Sequence, residues 1–286
     1  MVPGAATHIS ASGKPARAEV LAAPPTWLVL PPGRAVVAPL VRALALCAAF
    51  TPQDRWLGNS QLAQRTNLPA STVSRIAQTL VRLGYLQHDA QGRKYRLTAA
   101  VLGLGYAAIT QSVVQRHART HMLAFAEQHK VHVSLAARDR LDLMVLESRR
   151  GREVPPAMAL PVGMRVGIAL SPMGWALLAA LPELERHYLL QNVEQRAPRD
   201  WPRLRRRVGE GMAQAQDKGY CTAIGEWDPE IAIVATPLVV QGQSPFVLAC
   251  VGPCARLSRA RIERELSPRL LTMARDIQSE IHESGA

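Results

Sequence analysis

Asn67-Leu68-Pro69-Ala70-Ser71-Thr72-Val73-Ser74-Arg75-Ile76-Ala77-Gln78-Thr79-Leu80-Val81-Arg82-Leu83-Gly84 is the stretch whose reading decides the fold of the amino-terminal part of this chain. Val73, Ile76, Ala77, Leu80 and Leu83 recur at helical spacing and make one apolar stripe that must pack on something. Pro69 has a preset φ and no amide hydrogen to leave unpaired, so it suits the first helical position, and Gly84 suits the carboxy-terminal cap. The spacing predicts a helix over 69–83. Its other side carries Ser71, Ser74, Arg75, Gln78 and Arg82, with no acid.

Upstream, Leu40, Leu44, Leu46 and Phe50 predict a helix from about Pro39 to Phe50. Gly58 or Asn59 can cap a second short helix through Thr66, with Leu62 and Ala63 facing inward, and Asn67-Leu68-Pro69 forms the turn. Downstream, Tyr85 to His88 and Arg93 to Leu97 flank Asp89-Ala90-Gln91-Gly92, a hairpin with Gly92 supplying the permissive turn backbone. Two short helices, a tight turn, a third helix with an exposed polar face and a basic hairpin predict a winged helix-turn-helix. Such a third helix meets base edges in the major groove through its amino-terminal residues. Ser71, Thr72, Ser74, Arg75 and Gln78 are the candidate readers, and Arg93 and Lys94 the candidate phosphate anchors on the wing. A small helical bundle with a solvated charged face is the bland alternative.

Charge favours the first reading. The chain has 286 residues, 48% hydrophobic and 20% charged, a globular composition of about two-domain length. Its formal charge of +12 is unevenly placed: Met1 to His117 carries twelve basic and three acidic residues, and the remainder 22 against 19. A basic amino-terminal module suits nucleic acid or an acidic surface. Arg outnumbers Lys 30 to 4, so genome composition is an alternative source of part of that excess. No apolar window reaches the roughly 18–20 residues a bilayer span needs. Cys47, Cys221, Cys250 and Cys254 make no CxxC pair, which argues against a disulfide framework or zinc site and fits a cytoplasmic setting. Residues 1–37, with Pro3, Pro15, Pro24, Pro25, Pro31 and Pro32 among Ala and Gly, read as a flexible tail and not a signal peptide. A mis-set translation start would also account for them.

Beyond the wing, Thr98 to Lys130 reads as two consecutive helices. The period then changes: Val133, Leu135 and Ala137 alternate, Arg138-Asp139-Arg140 turns, and Leu141, Leu143 and Val145 alternate again. Helices are predicted at Pro172 to Leu181 and Trp201 to Lys218, strands at Ile231 to Val240 and Phe246 to Val251, and helical segments from Ser258 to Glu283 interrupted at Ser267-Pro268. Clustered strands and helices indicate an α+β domain.

Arg42-Ala43-Leu44, Leu62-Ala63, Asn67-Leu68-Pro69, Ser71-Thr72, Arg75, Leu80, Leu83-Gly84-Tyr85-Leu86 and Tyr95-Arg96-Leu97 together resemble the DNA-binding domain of the IclR family of bacterial transcriptional regulators. The likeness continues into Leu102-Gly103-Leu104-Gly105, which in that family opens a linking helix. It extends through Leu160-Pro161-Val162-Gly163, Ser171-Pro172-Met173-Gly174, Leu177-Leu178-Ala179, Gly219-Tyr220, Glu226, Ala235-Thr236-Pro237-Leu238 and Gly252-Pro253. The resemblance implies a GAF-like effector-binding domain after the winged helix. The expected organisation is a tail at 1–37, a DNA-binding domain at 38–97, a linker helix at 98–116, and an effector-binding and oligomerisation domain at 117–286.

By the same resemblance, positions Met158, Pro172, Met173, Ile233, Ala249 and Val251 line an effector pocket. Where many relatives carry small polar residues this chain has Pro172-Met173, and where some carry serines it has Ala249 and Val251. Independently, Ser171 is a good N-cap and Pro172 a good first residue, so the amides of Met173 and Gly174 could face a small anion, with Gly174 allowing close approach. These features point to a small organic acid with an apolar, potentially aromatic, body. A purely structural cap is the alternative.

Other signals carry less. His117 and His121 are four apart on a helix, but no third metal ligand is evident in the sequence. Ala169-Leu170-Ser171-Pro172-Met173 is no nucleophile elbow. Arg203, Arg205, Arg206 and Arg207 read as a solvated helix face or subunit contact. No catalytic residue, cofactor or metal is expected. The expected function is a ligand-responsive, sequence-specific regulator of a catabolic operon, working as a homodimer or homotetramer on double-stranded operator DNA, with RNA polymerase as a further partner and no membrane. The rivals are an enzyme or small-molecule carrier with a basic appendage, and a nonspecific architectural DNA binder.

Overall fold

The computed structural model describes residues 37–51, 54–110, 112–226 and 228–284; apart from Val37, the expected tail lies outside them. The chain divides between Gln111 and Ser112 into two compact units.

The amino-terminal unit begins with α1 (Ala38–Ala48), β1 (Leu57–Gly58), α2 (Asn59–Thr66) and α3 (Ala70–Arg82). The Gln61 side chain accepts the Gly58 amide at 2.9 Å and so caps α2 at its start. Asn67 ends α2 in the left-handed region (φ 53°), a conformation asparagine tolerates better than most residues. Val73, Ala77 and Leu80 of α3 are buried with Leu46, Leu57 and Leu62. Two expectations shift. Pro69 is the N-cap, one place before the helix, and Leu83 leaves the apolar stripe: it is the last cap residue and 63% exposed.

The wing is β2 (Leu86–Asp89) paired antiparallel with β3 (Lys94–Leu97), and β1, absent from the sequence reading, adds a third strand by pairing Leu57 with Tyr95. Gly92 does not supply the turn's permissive backbone as expected. The positive φ in the turn belongs to Arg93 (50°), whereas a β-carbon on Gly92 would stand 2.5 Å from Asp89 Oδ2. The unit ends with α4 (Ala99–Thr110).

The carboxy-terminal unit opens with α5 (Val113–His129), capped by Ser112 Oγ, which accepts the Gln115 amide at 3.3 Å. There follow β4 (His132–Asp139), β5 (Asp142–Arg150), a 3-10 turn at Pro156–Met158, β6 (Arg165–Gly167), α6 (Pro172–Ala180), α7 (Glu183–Arg196), α8 (Trp201–Lys218), β7 (Cys221–Ile224), β8 (Ile231–Leu238), β9 (Phe246–Pro253), α9 (Arg259–Arg261) and α10 (Ser267–Glu283). The six strands form one antiparallel sheet in the order β6-β5-β4-β9-β8-β7. One face packs on α6 and α8, the other on α5 and α10. The expected interruption before Pro268 is a π-helical turn, Ile262–Leu266. Proline offers no amide and its ring crowds the carbonyl four residues back, and the wider turn accommodates both.

Asp54 holds the amino-terminal unit together. Its carboxylate accepts hydrogen bonds from the Thr51 amide at 2.8 Å, Thr51 Oγ1 at 2.6 Å and both terminal nitrogens of Arg65, whose Nη1 also reaches the Ala49 carbonyl at 2.9 Å. Partial burial works against ionisation, but the hydrogen bonds from Arg65 and Thr51 and the Arg65 charge outweigh it and lower the pKa to about 2. Because the folded pKa lies below the unfolded one of about 3.9, the stabilisation is complete above pH ~4 and fades as pH falls towards 2. Asp54→Asn should therefore cost this unit about 2 kcal/mol at pH 7, read as faster amide exchange in α2 and α3 of the full chain. The difference from wild type should shrink as pH falls through 4 towards 2. A difference constant across that range would remove Asp54 ionisation from the account.

Candidate nucleic-acid interface and ligand site

The α3 helix is held from one side only. Its buried stripe fixes its rotation, and the Asn59 side-chain amide donates to the Ala70 carbonyl at 3.0 Å, tying the start of α2 to the start of α3. Ser71, Arg75 and Gln78 are exposed along the opposite face, and Thr72 and Ser74 are half-buried beside them. Arg93 and Lys94 are exposed at the turn and on β3. Among the described residues no carboxylate pairs with Arg75, Arg93 or Lys94. The five helix residues thus share one face, with two unneutralised cations on the hairpin.

Arg96, which the sequence places with the wing's cations, is exposed but engaged by neighbouring side chains. Its Nε donates to Gln87 Oε1 at 2.8 Å and its guanidinium lies 4.8 Å from the centre of the Trp56 ring. On the same hairpin His88 stacks on Tyr95 at 4.8 Å between centroids. These contacts stiffen the hairpin that presents Arg93 and Lys94. The sequence order alone could not separate Arg96 from its neighbours, since the pairing that selects its partners arises from β1 and β2.

In the carboxy-terminal unit Met173, Ile233, Ala249 and Val251 belong to one buried cluster on the α6 face of the sheet, and half-buried Met158 lies on the 3-10 turn. The α6 helix is buried almost throughout, from Pro172 to Leu178. Ser171 caps it, accepting the Gly174 amide at 3.5 Å. One of the two amides expected to face an anion is therefore already engaged. The room beside Gly174 is taken as well: a β-carbon there would stand 1.7 Å from the Ile168 carbonyl oxygen, so this glycine admits the protein's own backbone.

Cys221, on β7, donates its thiol to the Pro172 carbonyl at 3.1 Å and so places the start of α6 over that edge of the sheet. Burial raises its pKa to about 12 in spite of the Arg207 charge, which makes it a neutral donor and no nucleophile. Arg207 is the exception in its arginine cluster. It turns inward, 4.1 Å from the Trp175 ring centre, and pairs with both oxygens of Glu226 and with the Thr222 carbonyl. On the opposite flank His132 Nε2 accepts the Leu160 amide at 3.0 Å, pinning the segment after the 3-10 turn to β4.

Two further features concern metal chemistry. His117 Nδ1 and His121 Nε2 reach the two oxygens of Glu280 at 3.3 and 2.8 Å, a carboxylate the sequence could not pair with them because it lies 159 residues beyond His121. The contact joins α5 to α10. Among the described residues no group of three His, Cys, Asp or Glu is arranged to hold a metal ion, and no helix is long and apolar enough to cross a membrane.

Comparison with known proteins agrees with both halves. Residues 39–90 match the model of the IclR helix-turn-helix domain, and residues 106–279 that of the bacterial transcriptional regulator IclR C-terminal domain. The HTH-type transcriptional regulator TsaQ1/TsaQ2 of Comamonas testosteroni is 31% identical over 255 residues, covering 87% of this chain and 90% of its own. The crystal structure of an IclR family transcriptional regulator from Brucella abortus superposes with a TM-score of 0.78 at 36% identity, over 91% of this chain and 98% of that one. An IclR homologue from Microbacterium hydrocarbonoxydans, crystallised with 4-hydroxybenzoate, has the same fold at 24% identity, with a TM-score of 0.64 over 86% and 99% of the two chains. With a winged helix-turn-helix presenting an open polar face in one unit, a helix-covered antiparallel sheet in the other and matches across both, this chain belongs to the IclR family of bacterial transcriptional regulators.

Proposed function

We propose that the chain is a ligand-responsive, sequence-specific regulator of a catabolic operon, and that its ligand is a small organic acid. The observation that carries the DNA half is the α3 face: Ser71, Arg75 and Gln78 exposed on successive turns, with Arg93 and Lys94 unneutralised on the wing. Arg suits a bidentate contact to guanine, Gln suits adenine, and the wing cations suit phosphates. The apolar cluster around Met173, Ile233, Ala249 and Val251, with the start of α6 beside it, supports an apolar acid.

Self-association is part of the proposal. Val37, Leu40 and Leu44 form an exposed stripe on and before α1, and Leu102, Leu104 and Tyr106 are exposed on α4. A single 13-residue recognition helix reads few base pairs, and pairing two half-sites multiplies the specificity. A second copy is the occupant that serves both needs, with a tetramer as the further step.

Footprinting on the chain's own upstream region, with and without 4-hydroxybenzoate and other carboxylic acids, tests the whole reading. A protected palindrome altered by an acid is the expected result. Uniform coating of random duplex would indicate an architectural binder instead. Arg75→Ala should cost about 1–3 kcal/mol on operator and little on random DNA, whereas Lys94→Ala should weaken both alike and lower the salt slope by about one. Equal losses for Arg75→Ala on both duplexes would remove it from base reading. Replacing both Leu40 and Leu44 with Glu should cut affinity for the two-half-site operator at least about tenfold while leaving a lone half-site unchanged; equal effects on the two would take the stripe out of the dimer.

A further inference from the structure

The solvent face of the wing sheet is made of alternate residues. On β3, Tyr95 is buried while Lys94 and Arg96 are exposed, so those two cations project from one face. Across the register Asp89 and Gln87 of β2 stand opposite Lys94 and Arg96, and Gly58 of β1 stands opposite Lys94 from the other side. Asp89 is turned towards its own loop, where its Oδ1 accepts the Gln91 amide at 3.1 Å. In a helix-turn-helix the first helix crosses the duplex backbone while the second lies in the groove. That first helix is α2, which starts from Gly58, so the face carrying Lys94 and Arg96 adjoins the element that crosses the backbone.

Arg96 is fixed on that face by the protein itself. Its Nε donates to Gln87 Oε1 at 2.8 Å, and its guanidinium lies 4.8 Å from the centre of the half-buried Trp56 ring. These contacts use one N–H and one side of the planar group. They leave its two terminal nitrogens, and among the described residues no carboxylate pairs with them. A guanidinium that rests on an aromatic ring keeps its in-plane fork of donors, and that fork matches a phosphate. A brace for the hairpin alone needs neither the charge nor the fork, since an uncharged donor would serve Gln87 as well.

We propose that Arg96 is a phosphate clamp of the wing, and that Trp56 and Gln87 are the positioning residues that hold its fork outward. The proposal rests on the wing lying against a duplex, and it adds a third cation to Arg93 and Lys94. Lys94 and Arg96 are two residues apart on one strand, about 7 Å, which suits neighbouring phosphates of one DNA strand. A free arginine gives up rotamer freedom on binding, and one already fixed has less to lose. Phosphates are alike along the duplex, so this contact sets the register of α3 in the groove and adds nothing to the choice of base.

Anisotropy titrations of the full chain with a labelled random-sequence duplex, from about 50 to about 200 mM salt, test this. Arg96→Met should weaken binding at least about fivefold at the lower salt and flatten the slope of log affinity against log salt by about one. Trp56→Leu combined with Gln87→Leu keeps the charge and removes its support, so it should weaken binding about threefold with the slope unchanged. Arg96→Lys, a point charge without the fork, should behave like that pair. A smaller folded fraction would scale the affinity and leave the slope alone, so a lost slope is not a stability effect. A wild-type slope in Arg96→Met overturns the clamp, makes Arg96 a brace for the hairpin and leaves the DNA reading standing. Wild-type affinity in the Trp56 and Gln87 pair overturns their positioning role. Failure of the wild type to bind duplex overturns the DNA reading together with the clamp.

Discussion

The approach of the Ile168 carbonyl to Gly174 governs the architecture of the carboxy-terminal unit. No β-carbon fits between them, so the chain leaving β6 runs directly against the first turn of α6. A helix seated that closely has sheet on one side and α8 on the other, and its sequence is accordingly apolar all round, from Met173 to Leu178. The same tightness recurs at Gly211 of α8, where a β-carbon would strike the Trp175 ring at 2.5 Å. Trp175 is then fixed at three points, by this contact, by its own donation to the Ala169 carbonyl at 3.0 Å, and by the Arg207 guanidinium above it. Cys221, Ala235 and Ala249, side by side on the sheet face that packs on α6, are small for the same reason, because a helix this near the sheet leaves little height for side chains beneath its first turn.

A different balance holds the amino-terminal unit. Its core is small, nine buried hydrophobic residues in one cluster, and small cores leave little stability to spare. The Asp54 and Arg65 fork therefore matters more here than an ion pair of similar exposure would in the larger unit. It closes a long connection between α1 and α2 onto the end of α1, and it does so without using the α3 face. The polar groups that could meet DNA remain unspent because local structure is stabilised by other residues.

Much of this was legible in the sequence, for reasons that differ by element. The α3 helix could be read because its stripe repeats at 3.6 residues, and α8 was bounded correctly because Trp201-Pro202 opens it and Gly219, at φ 78°, closes it. The β4 and β5 hairpin was visible in its alternation. By contrast β1, β6 and β7 have two, three and four residues, too few to show a period, and exist because longer strands offer them edges. The α7 helix escaped because its apolar residues do not line one face; Leu184 is 87% exposed while Leu189 and Val193 are buried. At the candidate ligand site, Ser171 and Pro172 announced the helix start, but the register that sets Ala235 beside Ala249 on the facing sheet had no signal in the sequence.

The α4 helix is a segment whose order depends on what covers it. Every side chain described from Leu102 to Tyr106 is exposed, three of them large and apolar, and Gly103 and Gly105 sit between them with open space where a β-carbon would go. Glycine inside a helix costs about 0.5–1 kcal/mol relative to alanine, and an isolated 12-residue helix is marginal even with favourable residues. Such a segment is helical in proportion to the apolar surface presented to it. On the proposal that two copies pair, the partner covers that surface, and the helical state of α4 and self-association rise and fall together. Any ligand that changes DNA affinity acts only through its differential affinity for two states of the protein. In the proposed regulator a helix of low intrinsic stability costs little to order or disorder, and a small difference between two states is one that a ligand of modest affinity can reverse.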